Sequence, residues 1–157
     1  MQVDIKINYI VFTSITLVLS FIGKFFSDFG MQWYYGLQLP SYTPPAWFIS
    51  VMWTLIYVLA TIAVIKVWNS FERDKDFYMI MALFGVNALS NLLWTYLFFY
   101  RHNICLAFAD SLVVFASILA LVIMIGNVSY RIAGLLVPYL FWITFAVWLN
   151  LMIWVQN

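Results

Sequence analysis

Five long apolar runs constrain the fold of this chain more than any other feature of its sequence. They cover approximately residues 8–27, 46–68, 77–99, 103–126 and 132–155 of the 157. A helix needs about 20 predominantly apolar residues to cross the hydrocarbon core of a bilayer. Only 8% of the residues are charged, whereas a soluble domain carries about 25%. The sequence therefore predicts an all-α integral membrane protein, in which a five-transmembrane-helix bundle forms one domain over residues 1–157.

The basic residues indicate how the bundle is oriented, because loops on the cytoplasmic side of a membrane are enriched in Lys and Arg. The short connections imply that consecutive helices are antiparallel, which places Lys24 and Arg101 on one side. Five basic residues fall on the side of the amino terminus: Lys6, Lys66, Arg73, Lys75 and Arg131. We therefore predict a cytoplasmic amino terminus.

The first run is interpreted as a retained helix, since it is long and has no convincing cleavage site of small residues. We expect no targeting sequence before it. Together with the predicted orientation, this favours the inner (cell) membrane of a bacterium.

Polar residues within the runs are candidates for function. Asp110 lies well inside the fourth run, where an ionisable group is costly and often functional. It either fixes helix packing or serves a ligand or a proton. Asn87, Asn91 and Trp94 are spaced to share one face of the third helix. Such a face points to protein or to a cavity, so these residues either hold helices together or line a binding site.

Tryptophans occur both at the ends of the runs and deeper inside them. Those near the ends fit an interfacial aromatic belt. Trp53 lies deeper, one turn from Tyr57, and the fifth run carries residues four apart: Pro138, Trp142, Ala146 and Asn150. We expect Pro138 to kink this helix. Deep indoles with few amides predict a broad, flat, mostly apolar pocket for a planar or sterol-like ligand.

Conventional catalytic groups are missing from the sequence. The single histidine, His102, lies at a membrane boundary, and the single cysteine, Cys105, cannot form an internal disulfide. No zinc, haem-attachment or phosphate-loop motif is present. We therefore expect no metal and no cofactor. The net charge of +1 gives no indication of nucleic-acid binding.

Three motifs resemble those of one membrane protein family. WYYGLQLPSYTPP at 33–45 is similar to the W-Y-x-x-L-x-K-P-x-W-x-P-P signature of the translocator protein/tryptophan-rich sensory protein family (TspO/MBR, or peripheral-type benzodiazepine receptor). NALSNLLWTYLFF at 87–99 resembles the third-helix motif of the family. PYLFWITFAVWLN at 138–150 resembles its fifth-helix motif. The resemblance covers essentially the full chain.

The resemblance implies a five-helix bundle, often dimeric, with a ligand pocket near one membrane face. We therefore expect a homodimer in a lipid bilayer, with residues 28–45 as a lid loop over the pocket. Three prolines stiffen that loop, because proline fixes φ, and Pro44 and Pro45 suit the start of the second helix. The family's ligands are porphyrins such as protoporphyrin IX, benzodiazepine-type drugs and, in animal members, cholesterol.

The resemblance also implies site residues. Seven match positions near the ligand in the family: Tyr34, Trp53, Asn87, Asn91, Asp110, Trp142 and Ala146. Pro44, Pro45, Tyr57 and Trp94 complete the predicted binding site. Trp53 and Trp142 match tryptophans associated with porphyrin degradation in bacterial relatives, and they would be the catalytic residues if this chain degrades porphyrin.

Two loop residues depart from the family signature. Leu39 replaces the usual basic residue before Pro40, which removes any contact from that position to a ligand carboxylate. Tyr42 replaces the usual tryptophan.

The fifth run ends without the basic residue of the family's cholesterol motif, so we do not predict sterol recognition through this motif.

Three functions follow from these observations. The leading one is a membrane receptor or sensor that binds tetrapyrroles and moves or sequesters them. The second is an enzyme that degrades porphyrin with light and oxygen, using Trp53 and Trp142 as redox-active side chains. The third is a structural partner of other membrane proteins. The deep tryptophans favour the first two, and the sequence leaves enzymatic activity undecided.

Overall fold

The computed structural model describes residues 7–157, and all regular structure in that range is helical. The helices are α1 (Ile7–Tyr34), α2 (Ala46–Ser70), α3 (Lys75–Thr95), α4 (Ile104–Val128), the single-turn α5 (Tyr130–Ala133) and α6 (Val137–Gln156). A π-helical segment, Tyr96–Tyr100, continues α3. Five helices are long and apolar enough to cross a membrane: α1, α2, α3 with its π-helical segment, α4 and α6. The predicted all-α, five-span architecture is confirmed.

Side-chain caps and prolines determine where three of the helices begin. The Asp74 carboxylate accepts a 2.8 Å hydrogen bond from the amide of Phe77 in the first turn of α3. The Asn103 side chain accepts one of 3.0 Å from Leu106 in the first turn of α4. Such caps satisfy amides that have no partner within the helix. Pro45 directly precedes α2, as the paired prolines predicted.

The end of α1 differs from the prediction. Residues 28–34 of the predicted lid loop 28–45 are helical, so the connection between α1 and α2 spans residues 35–45. Gly30, in this stretch, is the one buried residue of α1 and lies against the backbone of Phe99. This close packing outweighs the weak helix propensity of glycine.

The kink predicted at Pro138 takes the form of a break in the helix directly before this residue. The chain leaves the helical path at residues 134–136, between α5 and α6, and Pro138 occupies the first turn of α6. The missing amide of proline costs nothing there, because first-turn amides have no partner within the helix.

The π-helical segment forms where α3 meets the end of α1. The amide of Arg101 donates to the carbonyl of Tyr96 at 3.0 Å, five residues back, which is the π-helical pattern. Phe99 lies against Gly30, and the Phe26 ring contacts Tyr96 at 5.4 Å. Residues 101–103 separate this segment from α4.

The main apolar core lies among α2, α3, α4 and α6, with α4 at its centre. Fully buried side chains include Ile56, Ile80, Ile118 and Leu121. A smaller cluster around Phe98 packs near the connection between α1 and α2. α4 makes its most extensive contacts with α3 and α6, so these three helices form the scaffold against which the others lie.

The structure places the start of α1 beside the end of α2. The Asn8 amide donates to the Asn69 side chain at 3.2 Å, and the Phe12 ring meets Trp68 at 5.4 Å. This arrangement is antiparallel, as expected from the short connections. Lys6, one of the five basic residues that predict a cytoplasmic amino terminus, lies outside the described residues.

Candidate functional site

A cavity of about 1100 Å³ lies between α1 and α2, with α3, α6 and the 35–45 connection completing its wall. It exists because α1 diverges from α2 along its length. Near its start α1 meets α2, where the Thr16 and Thr61 hydroxyls are 2.8 Å apart. Near its end α1 packs instead on the π-helical segment, through Gly30 and Phe99. The gap opened between α1 and α2 is the candidate site.

Nine of the eleven predicted binding residues line this cavity: Tyr34, Pro44, Pro45, Trp53, Tyr57, Asn91, Trp94, Trp142 and Ala146. They come from α1, the 35–45 connection, α2, α3 and α6, which are distant in sequence. Asn87 and Asp110 do not line it. That these side chains bind a ligand stays a prediction.

Asn87 lies behind the cavity wall, in a buried network between three helices. Its amide donates to the Ser117 hydroxyl at 2.9 Å and to the Val114 carbonyl at 3.2 Å, both on α4. The Tyr139 hydroxyl, on α6, donates to the Asn87 carbonyl oxygen at 2.9 Å. Asn91 donates to the same hydroxyl. Asn87 therefore holds helices together, while Asn91 joins that network and also reaches the cavity.

Asp110 is buried on α4, beside Ser90 of α3. Its Oδ2 atom makes no hydrogen bond to the described part of the chain. This position, between α3 and α4, favours the packing interpretation of Asp110 over ligand contact.

The aromatic wall of the cavity has two parts. On α2 the Trp53 ring packs against Tyr57 at 5.7 Å and against Tyr139 at 6.2 Å. On α6 the Trp142 ring packs against Phe48 at 6.0 Å and against Phe145 at 5.7 Å. Flat faces fixed by such contacts suit a planar apolar guest.

Two hydrogen-bond donors in this wall lack partners within residues 7–157. The Trp94 indole donates to Asn150 Oδ1 at 2.7 Å, which orients the Asn150 amide. Asn150 Nδ2 and the Trp142 indole nitrogen are both buried and make no hydrogen bond to the described residues. Both nitrogens are enclosed by surrounding protein atoms, so a molecule in the cavity would reach them only after these side chains move.

The contribution of α1 to the cavity was not predicted from the sequence. Along the cavity this helix presents small polar residues and a charged pair: Thr13, Thr16, Ser20, Lys24, Ser27 and Asp28. Apart from the adjacent Ser27 and Asp28, successive members are three or four residues apart, which places the set on one helix face. The hydroxyl-bearing residues in the first run were a signal that could have revealed this face.

The connection between α1 and α2 covers one end of the cavity. Leu39, Thr43 and the two prolines that follow line it, whereas Tyr42 does not. Asn157 holds this segment in place, because its side chain accepts from the Gln38 amide at 2.9 Å and donates to the Gln38 carbonyl at 3.1 Å. The two residues that differ from the family signature, Leu39 and Tyr42, both lie in this connection, and of the two only Leu39 lines the cavity.

Residues 7–157 contain no cluster of three or more His, Cys, Asp or Glu side chains that could hold a metal ion. His102 stacks on Trp33, with ring centroids 4.2 Å apart, and Cys105 is exposed near the start of α4. Neither residue lines the cavity.

Comparison with known proteins agrees with the motifs. Residues 12–155 match the model of the TspO/MBR family. A tryptophan-rich protein TspO of Archaeoglobus fulgidus is 34% identical, covering 90% of this chain and 91% of the relative. One from Bacillus cereus is 31% identical over 97% of each chain. The human translocator protein is 30% identical, covering 87% of this chain and 82% of the relative.

Proposed function

The chain belongs to the TspO/MBR family, and on this premise we propose that it is a membrane receptor or sensor that binds porphyrin-like tetrapyrroles. The chain is a multi-pass integral membrane protein. Protoporphyrin IX is the ligand that we propose first, with its transport or sequestration as the outcome of binding.

The observation that carries this proposal is the cavity between α1 and α2. It combines about 1100 Å³ of space with indole faces from Trp53, Trp94 and Trp142. A tetrapyrrole is a large, flat, aromatic molecule with carboxylate side chains, so it would use both the apolar walls and the few polar groups. Such a mixture of apolar surface and sparse polar anchors is typical of ligand sites.

Binding is tested by titrating the protein in lipid nanodiscs with protoporphyrin IX in the dark, following tryptophan fluorescence. We expect saturable quenching by the wild type. Replacing both Trp53 and Trp142 with phenylalanine should weaken porphyrin binding about tenfold, because a phenyl ring offers less contact area to the ligand than an indole. Trp148→Phe is the matched control, since Trp148 lies on α6 but is exposed and does not line the cavity. Quenching that never saturates would overturn the porphyrin proposal.

A second candidate function is light- and oxygen-dependent degradation of porphyrin. It is favoured by the placement of Trp53 and Trp142 on two different helices of one cavity, where both indoles could act on a bound ring. Illuminating the same samples separates this function from binding alone. Loss of porphyrin absorbance with a new product spectrum, seen only with the wild type, supports degradation.

A structural role as partner of other membrane proteins is the third alternative. It predicts that a substitution in the cavity wall, such as Asn91→Leu, leaves the cellular phenotype unchanged.

For assembly we propose a homodimer in the lipid bilayer.

We further propose the inner membrane of a bacterium, with the amino terminus in the cytoplasm. Two single-cysteine variants in a Cys105→Ser background test the orientation: Ser41→Cys in the 35–45 connection and Glu72→Cys between α2 and α3, both exposed positions. A membrane-impermeant maleimide should label Ser41→Cys in right-side-out vesicles and Glu72→Cys only in inverted ones. The reverse labelling pattern would overturn the orientation.

A further inference from the structure

The cavity contains a charged pair that the family motifs do not include. Lys24 and Asp28 lie one turn apart on α1, with the Lys24 ammonium 2.8 and 2.6 Å from the two carboxylate oxygens. Both residues line the cavity, and they are the only charged side chains among the described residues that do so. They also form the single ion pair within residues 7–157.

The pair lies on α1, a helix that is long and apolar enough to cross a membrane. Lys24 precedes the end of the helix at Tyr34 by ten residues, or about 15 Å along the helix axis at 1.5 Å per residue. A lone charge inside a bilayer is costly, and the pairing with Asp28 makes the two side chains neutral together. The side chains are 71% and 60% exposed, so neither is enclosed by protein.

The Lys24 ammonium retains capacity for a further partner. An ammonium has three N–H donors, and the contacts with Asp28 use two of them. The loop position that carries a base in the family signature holds Leu39 here, which lines the same cavity as an apolar residue. Lys24 is therefore the one cationic group on this wall that an anionic ligand would meet.

We infer that Lys24 binds a carboxylate of the molecule in this cavity, and that Asp28 holds the ammonium in place while weakening its attraction for that carboxylate. This inference rests on the proposed function and refines it, because it identifies the ligand as a planar apolar molecule with an acidic side chain. In this chain Lys24 of α1 would bind the ligand carboxylate, in place of the basic loop residue of the family signature, where Leu39 stands here.

The test compares protoporphyrin IX with its dimethyl ester, which has the same ring but no charge, in nanodiscs of phosphatidylcholine. Lys24→Met should weaken binding of the acid about fivefold, as expected for a partly screened ion pair, and leave the ester unchanged. Lys24→Arg should retain acid binding, and Asp28→Asn should strengthen it. Lys66→Met is the matched control, since Lys66 is exposed on α2 and does not line the cavity.

Unchanged binding of the ester also shows that the Lys24→Met protein is folded. If Lys24→Met binds acid and ester as the wild type does, the inference is wrong and the proposed function stands. If neither compound binds the wild type saturably, the proposed function is overturned and the inference falls with it.

The head group of an anionic lipid offers the same chemistry as a ligand carboxylate. Repeating the titration in discs that contain phosphatidylglycerol distinguishes the two sources. If Lys24→Met weakens acid binding already in discs of phosphatidylcholine, which contain no anionic lipid, Lys24 is assigned to the tetrapyrrole. If wild type and Lys24→Met differ only in discs that contain phosphatidylglycerol, the lipid is the partner of Lys24 and the inference is overturned.

Discussion

Replacing Gly30 with alanine is expected to destabilise the bundle by about 3 kcal/mol, the upper part of the usual range for overpacking. A Cβ atom at Gly30 would overlap the carbonyl oxygen of Phe99 and lie 2.7 Å from its Cα and carbonyl carbon. These are backbone atoms of the π-helical segment, so no side-chain rotation relieves the clash. α1 must move away from that segment, and it would lose the only residue that it buries.

Thermal unfolding in detergent, followed by helical circular dichroism, measures this effect. Gly85→Ala is the matched control, because Gly85 is exposed on α3 and a Cβ atom there meets nothing within 4 Å. Alanine at that position should stabilise the helix by up to about 1 kcal/mol. Equal midpoints for Gly30→Ala and the wild type would contradict the close packing of α1 on Phe99.

Replacing Tyr139 with phenylalanine should cost about 2 kcal/mol, the penalty for leaving buried polar groups without partners. The Tyr139 hydroxyl donates to the Asn87 carbonyl oxygen and accepts from the Asn91 amide. All three side chains are buried. Removing the hydroxyl leaves an acceptor on Asn87 and a donor on Asn91 unsatisfied, with no water in the bilayer core to replace it.

Tyr57→Phe provides the comparison for this variant. It deletes the same hydroxyl from a neighbouring helix, but the Tyr57 hydroxyl makes no side-chain hydrogen bond to the described residues that the change would break. Its unfolding midpoint should remain near that of the wild type. A Tyr139→Phe protein as stable as Tyr57→Phe would show that the network contributes little to stability.

The membrane architecture was predictable because it depends on properties of consecutive residues. The length and polarity of each apolar run determine whether a helix can cross a bilayer, and all five predicted spans correspond to helices in the structure. The caps at Asp74 and Asn103 lie where short polar connections ended the apolar runs. The extension of α1 through Gly30 was not predictable, since it depends on the backbone of Phe99, a residue far away in the sequence.

The candidate site was predictable only in part, for a related reason. Helical spacing shows that Asn87 and Asn91 share a face of α3, yet it does not show what each position on that face meets. Asn87 meets α4 and α6, whereas Asn91 also reaches the cavity. The contribution of Lys24 and Asp28 was missed because Asp28 was expected in a loop.

The isolation of α1 from the core has a consequence for how such a protein can evolve. Apart from Gly30, every described residue of this helix is at least partly accessible, so most substitutions along it leave the core of the other four spans untouched. The same helix supplies a long wall of the cavity. On the proposed function, ligand preference would therefore be able to change through successive substitutions in α1 at little cost in folding, because these substitutions leave the scaffold of the other helices unchanged.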